Sequence, residues 1–410
     1  MRRLGAILIL LATAAIAGEP HRATRPGGET DDPAGGERPA GWALHRGDRQ
    51  LTGVAPGTLS ADLHLKWTFP ISRPANSSPV VADGRVYVGT DDGKVLAIDP
   101  GSGDEVWSRD VGAGVGAPPT VHDGRLYVGD EDGTLHCLAA ADGEPLWTYP
   151  TDGEIAGAAN WAYVTDDEGE AHLRILVGSW DFHLHCVDAD GKRVWAYETE
   201  NYVNGTPAVV NGVAVFGGCD RNVYAVAVAD GSERERVDTG SYIAASVAAD
   251  GSEAYVGHFG GRVVRVDLEA GEIVWEYGEG DKPFFSAPAL AGDRIVIGSR
   301  DDHVHCFARD NGERLWTFRT GGMVDASPVI CDGKVVAGSD DGKVYLLDLA
   351  DGTELWSHRL RDRITTSPAV ANGQVLVACD DGKLYCFGPR GPGEDEDAET
   401  RPAPEDTSEP

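Results

Sequence analysis

Along most of this chain, short apolar runs alternate with polar turns, and the runs never lengthen. From Ser77 the order is SSPVV, ADG, RVYVG, TDDG, KVLAID, PGSG and DEVW. Each run is rich in Val, Ile and Tyr and is bounded by Gly paired with Asp, Asn or Ser, the mark of strands joined by tight hairpins. The same grammar then returns. Gly-x-x-x-Trp recurs, ending at Trp107, Trp147, Trp195, Trp275, Trp316 and Trp356, while Trp67 starts the series and Glu235 stands where another Trp would fall. Successive spacings from Trp67 are 40, 40, 48, 40, 40, 41 and 40 residues.

Four strands of about five or six residues with three turns fill about 40 residues, which is one propeller blade. Eight first strands can be read: SSPVV, APPTV, GAANWAYV, TPAVV, AASVA, SAPAL, ASPVI and TSPAV. The last unit stops at Phe387 without a Trp-bearing strand, and one such strand, around Leu65–Phe69, stands unclaimed before the first unit. The pattern therefore predicts an all-β chain: an eight-bladed β-propeller of four-stranded antiparallel blades over residues 64–388. The N-terminal strand completes the last blade and closes the ring, which removes the sheet edges that invite aggregation. Residues 41–63 form a lead-in to the ring. Repeat three is longer by eight residues, all in WAYVTDDEGEAHLRILVG, which reads as an extended surface hairpin.

The repeat, small-Pro-x-Val, then Asp-Gly-x-Val-Tyr-Val-Gly, then Asp-Asp-Gly-Lys-Val-Tyr, then Gly-x-x-x-Trp, resembles the PQQ-like (quinoprotein-like) propeller repeat, and the lead-in WALHRGDRQLTG is similar to the segment that precedes such propellers in exported bacterial proteins. The resemblance covers about residues 64–388. It implies that Trp67, Trp107, Trp147, Trp195, Trp275, Trp316 and Trp356 pack adjacent blades, with Glu235 departing from that pattern. Functionally it implies one of two branches: quinoprotein dehydrogenases holding PQQ and calcium on the axis, or cofactor-free binding propellers such as the BamB-type scaffolds of outer-membrane protein assembly. The dehydrogenase branch is disfavoured. No two cysteines are adjacent, and there are no long insertions between blades to cap a cofactor.

The ends of the chain differ from its middle. Arg2-Arg3, the apolar run around Ile7–Leu11 and Ala15-Ile16-Ala17 read as a cleaved signal peptide over residues 1–17. Residues 18–40 read as a disordered linker and residues 389–410 as an acidic disordered tail. Export to the periplasm or outside the cell follows, with no membrane span, since no apolar run reaches the roughly 20 residues needed. The formal charge is −32, of which the tail carries only −6, so the ring itself is acidic. Such a surface repels nucleic-acid phosphates and suits cations or basic partners, although acidity also serves solubility. Seven cysteines, with Cys137, Cys186, Cys306 and Cys386 in one repeat position, point to a packing role and at least one free thiol.

Candidate chemistry is sparse. Carboxylates recur at the turn between second and third strands (Asp91-Asp92, Asp130 to Asp132, Asp181, Asp220, Asp301-Asp302, Asp340-Asp341, Asp380-Asp381), where Asp-Gly also makes a good turn. His183-x-His185 and His303-x-His305 share a strand face, yet His136, His185 and His305 fill a slot held elsewhere by Tyr224, Tyr345 and Tyr385, so packing is favoured over metal. No catalytic, cofactor or metal residue is assigned. The segments leading into each first strand vary most, and there Trp161, Tyr202, Asn204, Tyr242, Phe284, Phe285, Asp325, Arg361 and Arg363 are the expected ligand or partner face. The expectation is a non-catalytic exported scaffold, monomeric by itself, that recognises an envelope or secreted protein. The alternative is a PQQ- and calcium-dependent oxidoreductase.

Overall fold

The computed structural model describes residues 41–278 and 280–391. The signal peptide, the linker and nearly all of the acidic tail read from the sequence lie outside them. Eight four-stranded antiparallel sheets form a ring of blades. Blade 1 comprises Val80–Ala82, Arg85–Gly89, Lys94–Ile98 and Glu105–Asp110, ordered from the axis outward. Blades 2 to 7 repeat this order at 120–150, 160–198, 208–238, 248–277, 289–319 and 329–359. Blade 8 takes Ala369–Ala371, Gln374–Cys379 and Lys383–Gly388 from the C-terminal end, and its outermost strand, His64–Pro70, from the start of the ring. That seam is antiparallel, with Trp67 opposite Cys386 and Phe69 opposite Leu384. Among the described residues no helix is long and apolar enough to cross a membrane.

The tryptophan series joins each blade to the next. The indole N–H of Trp67 donates to the Pro100 carbonyl at 2.9 Å, Trp147 to Ala189 at 2.9 Å, Trp195 to Val228 at 2.9 Å and Trp316 to Leu349 at 3.0 Å. Each acceptor lies in the outer turn of the following blade, and the glycine of that blade's own Gly-x-x-x-Trp lies under the ring. A Cβ on Gly191 would stand 2.6 Å from Trp147. Gly and Trp of the motif thus belong to different contacts. In the fourth interface the Glu235 carboxylate covers Gly271 in the same way. Behind four of the tryptophans, Cys137, Cys186, Cys306 and Cys386 are their cross-strand partners and are fully buried, which is where a small apolar side chain fits. All seven cysteines are free thiols.

Near the axis, hydroxyls tie neighbouring blades. The backbone N–H of Ala158 reaches Thr206 Oγ1, that of Thr206 reaches Ser246 Oγ, Ala287 reaches Ser327, Ser327 reaches Ser367, and Ser367 closes the circle on Ser78. Of the hydroxyls, Thr206, Ser327, Ser367 and Ser78 are the small residue of the small-Pro-x-Val pattern, and Ser246 holds the same place before Val247.

The lead-in runs inside the ring. Trp42 pairs with Val81 of blade 1, and the Ala43 carbonyl accepts from Val121 of blade 2. The Arg49 carbonyl accepts from the Asn160 side chain of blade 3 and from Val209 of blade 4. Gln50 takes Ala249 of blade 5, Thr52 takes Leu290 of blade 6, and Gly53 and Ala55 pair with Ile330 of blade 7. Residues 42–55 therefore form a strap that satisfies inner-strand N–H groups which would otherwise line the channel unpaired. Arg46 is fully buried and gives hydrogen bonds to the Pro328 and Pro288 carbonyls at 2.7 and 3.0 Å. Burial lowers its pKa to about 9, with Asp48 acting in the opposite sense.

Candidate functional site

The turns between second and third strands and the segments leading from one blade to the next emerge on the same face of the ring. One hydrogen bond recurs there. The backbone N–H of Cys219 donates to the Tyr202 carbonyl, Phe259 to Tyr242, Arg300 to Pro283, Asp340 to Met323, Asp380 to Arg363, Trp180 to Glu154 and Glu131 to Gly114. It fixes, blade by blade, a turn residue beside a connecting-segment residue, and together these form a rim around the axis.

The carboxylates of the turns separate into two roles. In blades 4, 7 and 8, Tyr224, Tyr345 and Tyr385 donate to Asp220, Asp341 and Asp381 at 2.5 to 2.6 Å. In blades 3 and 6, His185 and His305 hold Asp181 and Asp301 at 3.0 Å by the same geometry. The same aspartates also bind turn backbone, as Asp181 does with the His183 N–H. These residues build turns. Asp181, His183 and His185 gather within 4.8 Å at the blade 3 turn, as do Asp166, Glu170 and His172 on the extended hairpin of blade 3. In the first, the His183 Nδ1 contact with the Asp181 carbonyl and the His185 contacts with Asp181 and Tyr149 match the Asp–Tyr contacts of other blades.

The turn residue before this position, which is aspartate in seven blades and Gly260 in blade 5, varies around the rim: Asp91, Glu131, Trp180, Cys219, Phe259, Arg300, Asp340 and Asp380. From blade 7 round to blade 3 the rim is acidic. Burial raises the pKa of Asp340, Asp91 and Glu154, and like charge adds to it: Asp325 and Asp380 act on Asp340, Asp380 and Asp92 on Asp91, and Glu131 on Glu154. Arginines stand among them, and three are already held: Arg300 by Asp325 at 2.7 Å, Arg363 by Asp380 at 3.0 Å and Arg73 by Asp362 at 3.2 Å. From blade 3 to blade 6 the rim is aromatic. Tyr202 lies 5.2 Å from Trp180 and 5.3 Å from Phe182, Tyr242 packs edge-on to Phe259, and Phe259 packs edge-on to Phe285, which lies under the Arg300 guanidinium at 3.7 Å. Trp180, Phe182, Tyr202, Tyr242 and Phe259 are 39 to 54% exposed.

Of the residues expected on this face, Tyr202, Tyr242, Phe285, Asp325, Arg361 and Arg363 lie on its connecting segments. Asn204 is half-buried, with its amide on the Cys219 sulfur at 3.2 Å. Two expectations are corrected. Phe284 is buried, because it fills the wedge held elsewhere by Val203, Ile243 or Val324 and packs against the strand-end Gly257. Trp161 belongs to the innermost strand of blade 3 beside the strap, stacked on His122 at 3.5 Å with Arg49 over its ring, so it is not on the rim. Sequence reasoning passed over Trp180, Phe182 and Phe259. Their signal was the loss of Asp-Asp-Gly at the turn, replaced by SWDF and HFGG. At the opposite end, a cleft of 620 Å³ lined by Pro56, Thr58, Ser60, Asn372 and Pro389 carries no titratable or aromatic side chain.

A profile of the family described as outer membrane protein assembly factor BamB matches segments that together run from residue 40 to residue 407. The chain belongs to this PQQ-like propeller family. A BamB of Burkholderia pseudomallei is 24% identical over 277 residues, which covers 62% of this chain and 59% of that protein, so the chain spans under two thirds of that curated relative. Among solved structures, BamB of Moraxella catarrhalis overlays with a TM-score of 0.65 at 17% identity, covering 80% of this chain and all of that one. A europium-containing methanol dehydrogenase overlays with a TM-score of 0.68 at 14% identity, covering 85% of this chain and 98% of the other. At such identities the likeness is one of fold, and a fold hosts many functions. PQQ, the cofactor of the alternative drawn from the sequence, fits this rim poorly: it is a flat tricarboxylate, and it would meet an acidic arc whose Arg73, Arg300 and Arg363 are already paired.

Proposed function

We propose that this family member is a non-catalytic binding scaffold of the cell envelope, exported and acting through the rim face of its propeller. The observation that carries this is the set of exposed aromatic side chains at the variable positions of an otherwise repeated, rigid array. Aromatic anchors on a preformed surface bind at low entropic cost. The family's name, an outer-membrane protein assembly factor, supports a protein partner and an envelope location. The acidic rim argues against the quinoprotein alternative.

The test places a photoreactive amino acid at Tyr242 and, separately, at Leu146 on an outermost strand, in cells producing the full chain. A discrete protein adduct at Tyr242 and none at Leu146 is expected. Equal labelling at both positions overturns the assignment of the face. Saturable, calcium-dependent binding of PQQ, followed by tryptophan fluorescence, overturns the scaffold reading itself.

A further inference from the structure

The rim carries two surfaces side by side. On blades 3 to 6, Trp180, Phe182, Tyr202, Tyr242, Phe259 and Phe285 form a crescent whose members touch in two groups, bridged by the Cys219 turn, which binds the Tyr202 and Ile243 carbonyls. On blades 7, 8, 1 and 2, the rim residues are Asp340, Asp380, Asp91 and Glu131, with Glu154 at the join to blade 3. Among the described residues, none of Asp91, Glu131, Glu154 and Asp340 makes an ion pair; Asp91 instead accepts from the Asn76 amide at 2.9 Å. The carboxylates crowd one another, and the nearby arginines are committed elsewhere in the arc: Arg363 to Asp380, Arg73 to Asp362 and Arg300 to Asp325.

Resting on the scaffold reading, we propose that the partner is a basic protein segment bearing bulky apolar side chains, laid across the rim with its aromatic or aliphatic residues on the crescent and its Lys or Arg residues on the acidic arc. Either surface alone would accept a broader class. An apolar crescent by itself would take any greasy loop, and an acidic arc by itself any cation. Their adjacency on a rigid ring selects a segment that carries both characters. Cations arriving at the arc replace like-charge contacts with opposite-charge ones, while the crescent contributes apolar burial that salt does not screen. The aromatics sit on turns fixed by the recurring backbone bond, so little ordering cost falls on this side of the interface.

The probe is a set of fluorescein-labelled synthetic peptides of about ten residues, alternating Lys with Phe, Lys with Ser, or Glu with Phe. Anisotropy titrations with the full chain are run at about 0.05 M and about 0.3 M salt. The Lys-Phe peptide is expected to bind at least about tenfold tighter than either of the others, and to weaken at the higher salt. Phe259→Ala and Trp180→Ala are expected to weaken it about fivefold or more, and Asp340→Asn with Asp91→Asn to remove most of the salt dependence. All four positions are partly exposed turn residues, and circular dichroism with thermal unfolding identifies any variant that fails to fold. Equal binding of the Lys-Phe and Lys-Ser peptides, or indifference to the crescent substitutions, overturns the proposal. So does concentration-dependent self-association abolished by Phe259→Ala, which makes a second copy the occupant. If the peptides fail while the Tyr242 adduct forms, the partner chemistry is wrong and the binding face stands. If both fail, the scaffold reading falls with it.

Discussion

At the scale of single residues, the repeat lets one blade predict another. Glu235 is the exception among the blade-joining positions, opposite Ala225 in register and over Gly271 of the next blade. The small cross-strand residue and the glycine beneath are those that accept an indole elsewhere. Glu235→Trp is therefore expected to stabilise the chain by about 1 kcal/mol or more through ring burial and a carbonyl hydrogen bond, read as a raised midpoint in urea unfolding. Gly53 gives the opposite case. It holds φ at +69°, and a Cβ there would lie 2.1 Å from the Arg46 guanidinium, itself pinned on two carbonyls. Gly53→Ala is expected to cost about 2 kcal/mol or more, whereas Gly57→Ala, which has open space around it but shares a positive φ, costs less. Equal losses at the two positions in the same unfolding assay would remove the role given to the buried guanidinium.

At the scale of elements, the strand from His64 to Pro70 is the seam of the ring. It pairs along its length with Lys383–Gly388, and its loss leaves blade 8 with an open edge. Thr68→Pro, in the middle of that pairing, is expected to lower the melting temperature sharply and to produce dimers or larger species by light scattering. The seam was legible in the sequence because a Trp-bearing strand was surplus at one end and missing at the other. The small cysteine slot was legible for a related reason: a repeated position exposes its constraint by what it tolerates. The strap was not. Residues 42–55 carry no repeat, and apart from the Asn160 amide their partners are backbone groups, which leave no trace in side-chain pattern. Trp161 and Phe284 were misplaced on the same ground. Both are aromatics at variable positions, and only packing distinguishes a wedge between blades, a stack beside the strap and an exposed anchor on the rim.

At the scale of the whole molecule, charge and burial make the ring sensitive to acid. Burial lowers the pKa of His45 to about 3, with Arg46 adding to the effect, and lowers those of His185, His258 and His358. Folded, these imidazoles take up protons less readily than in the unfolded chain, where they do so below their ordinary value of about 6.5. The unfolded state then binds more protons, so stability falls as the pH drops from about 6.5 toward 5. The raised carboxylates Asp91, Glu154 and Asp340 act in the other sense, gaining stability as they protonate, and soften the loss at the lower end of that window. Thermal unfolding followed between pH 8 and pH 5 by tryptophan fluorescence should show a flat region and then a decline of several degrees. A melting temperature that rises on acidification would mean that repulsion among carboxylates outweighs the buried histidines.

The strap touches the blades in the order in which they occur along the chain: Trp42 on the first, Ala43 on the second, Arg49 on the third and fourth, Gln50 on the fifth, Thr52 on the sixth and Gly53 on the seventh. A chain emerging from its N-terminus would thus have an inner template in place before any blade is complete. Each new sheet would find its own rung waiting, and the eighth would be admitted last, when the seam strand claims it. The strap then acts as a ruler. Its contacts number seven blades and leave the eighth to the seam strand, so a duplicated blade would arrive with no rung to occupy.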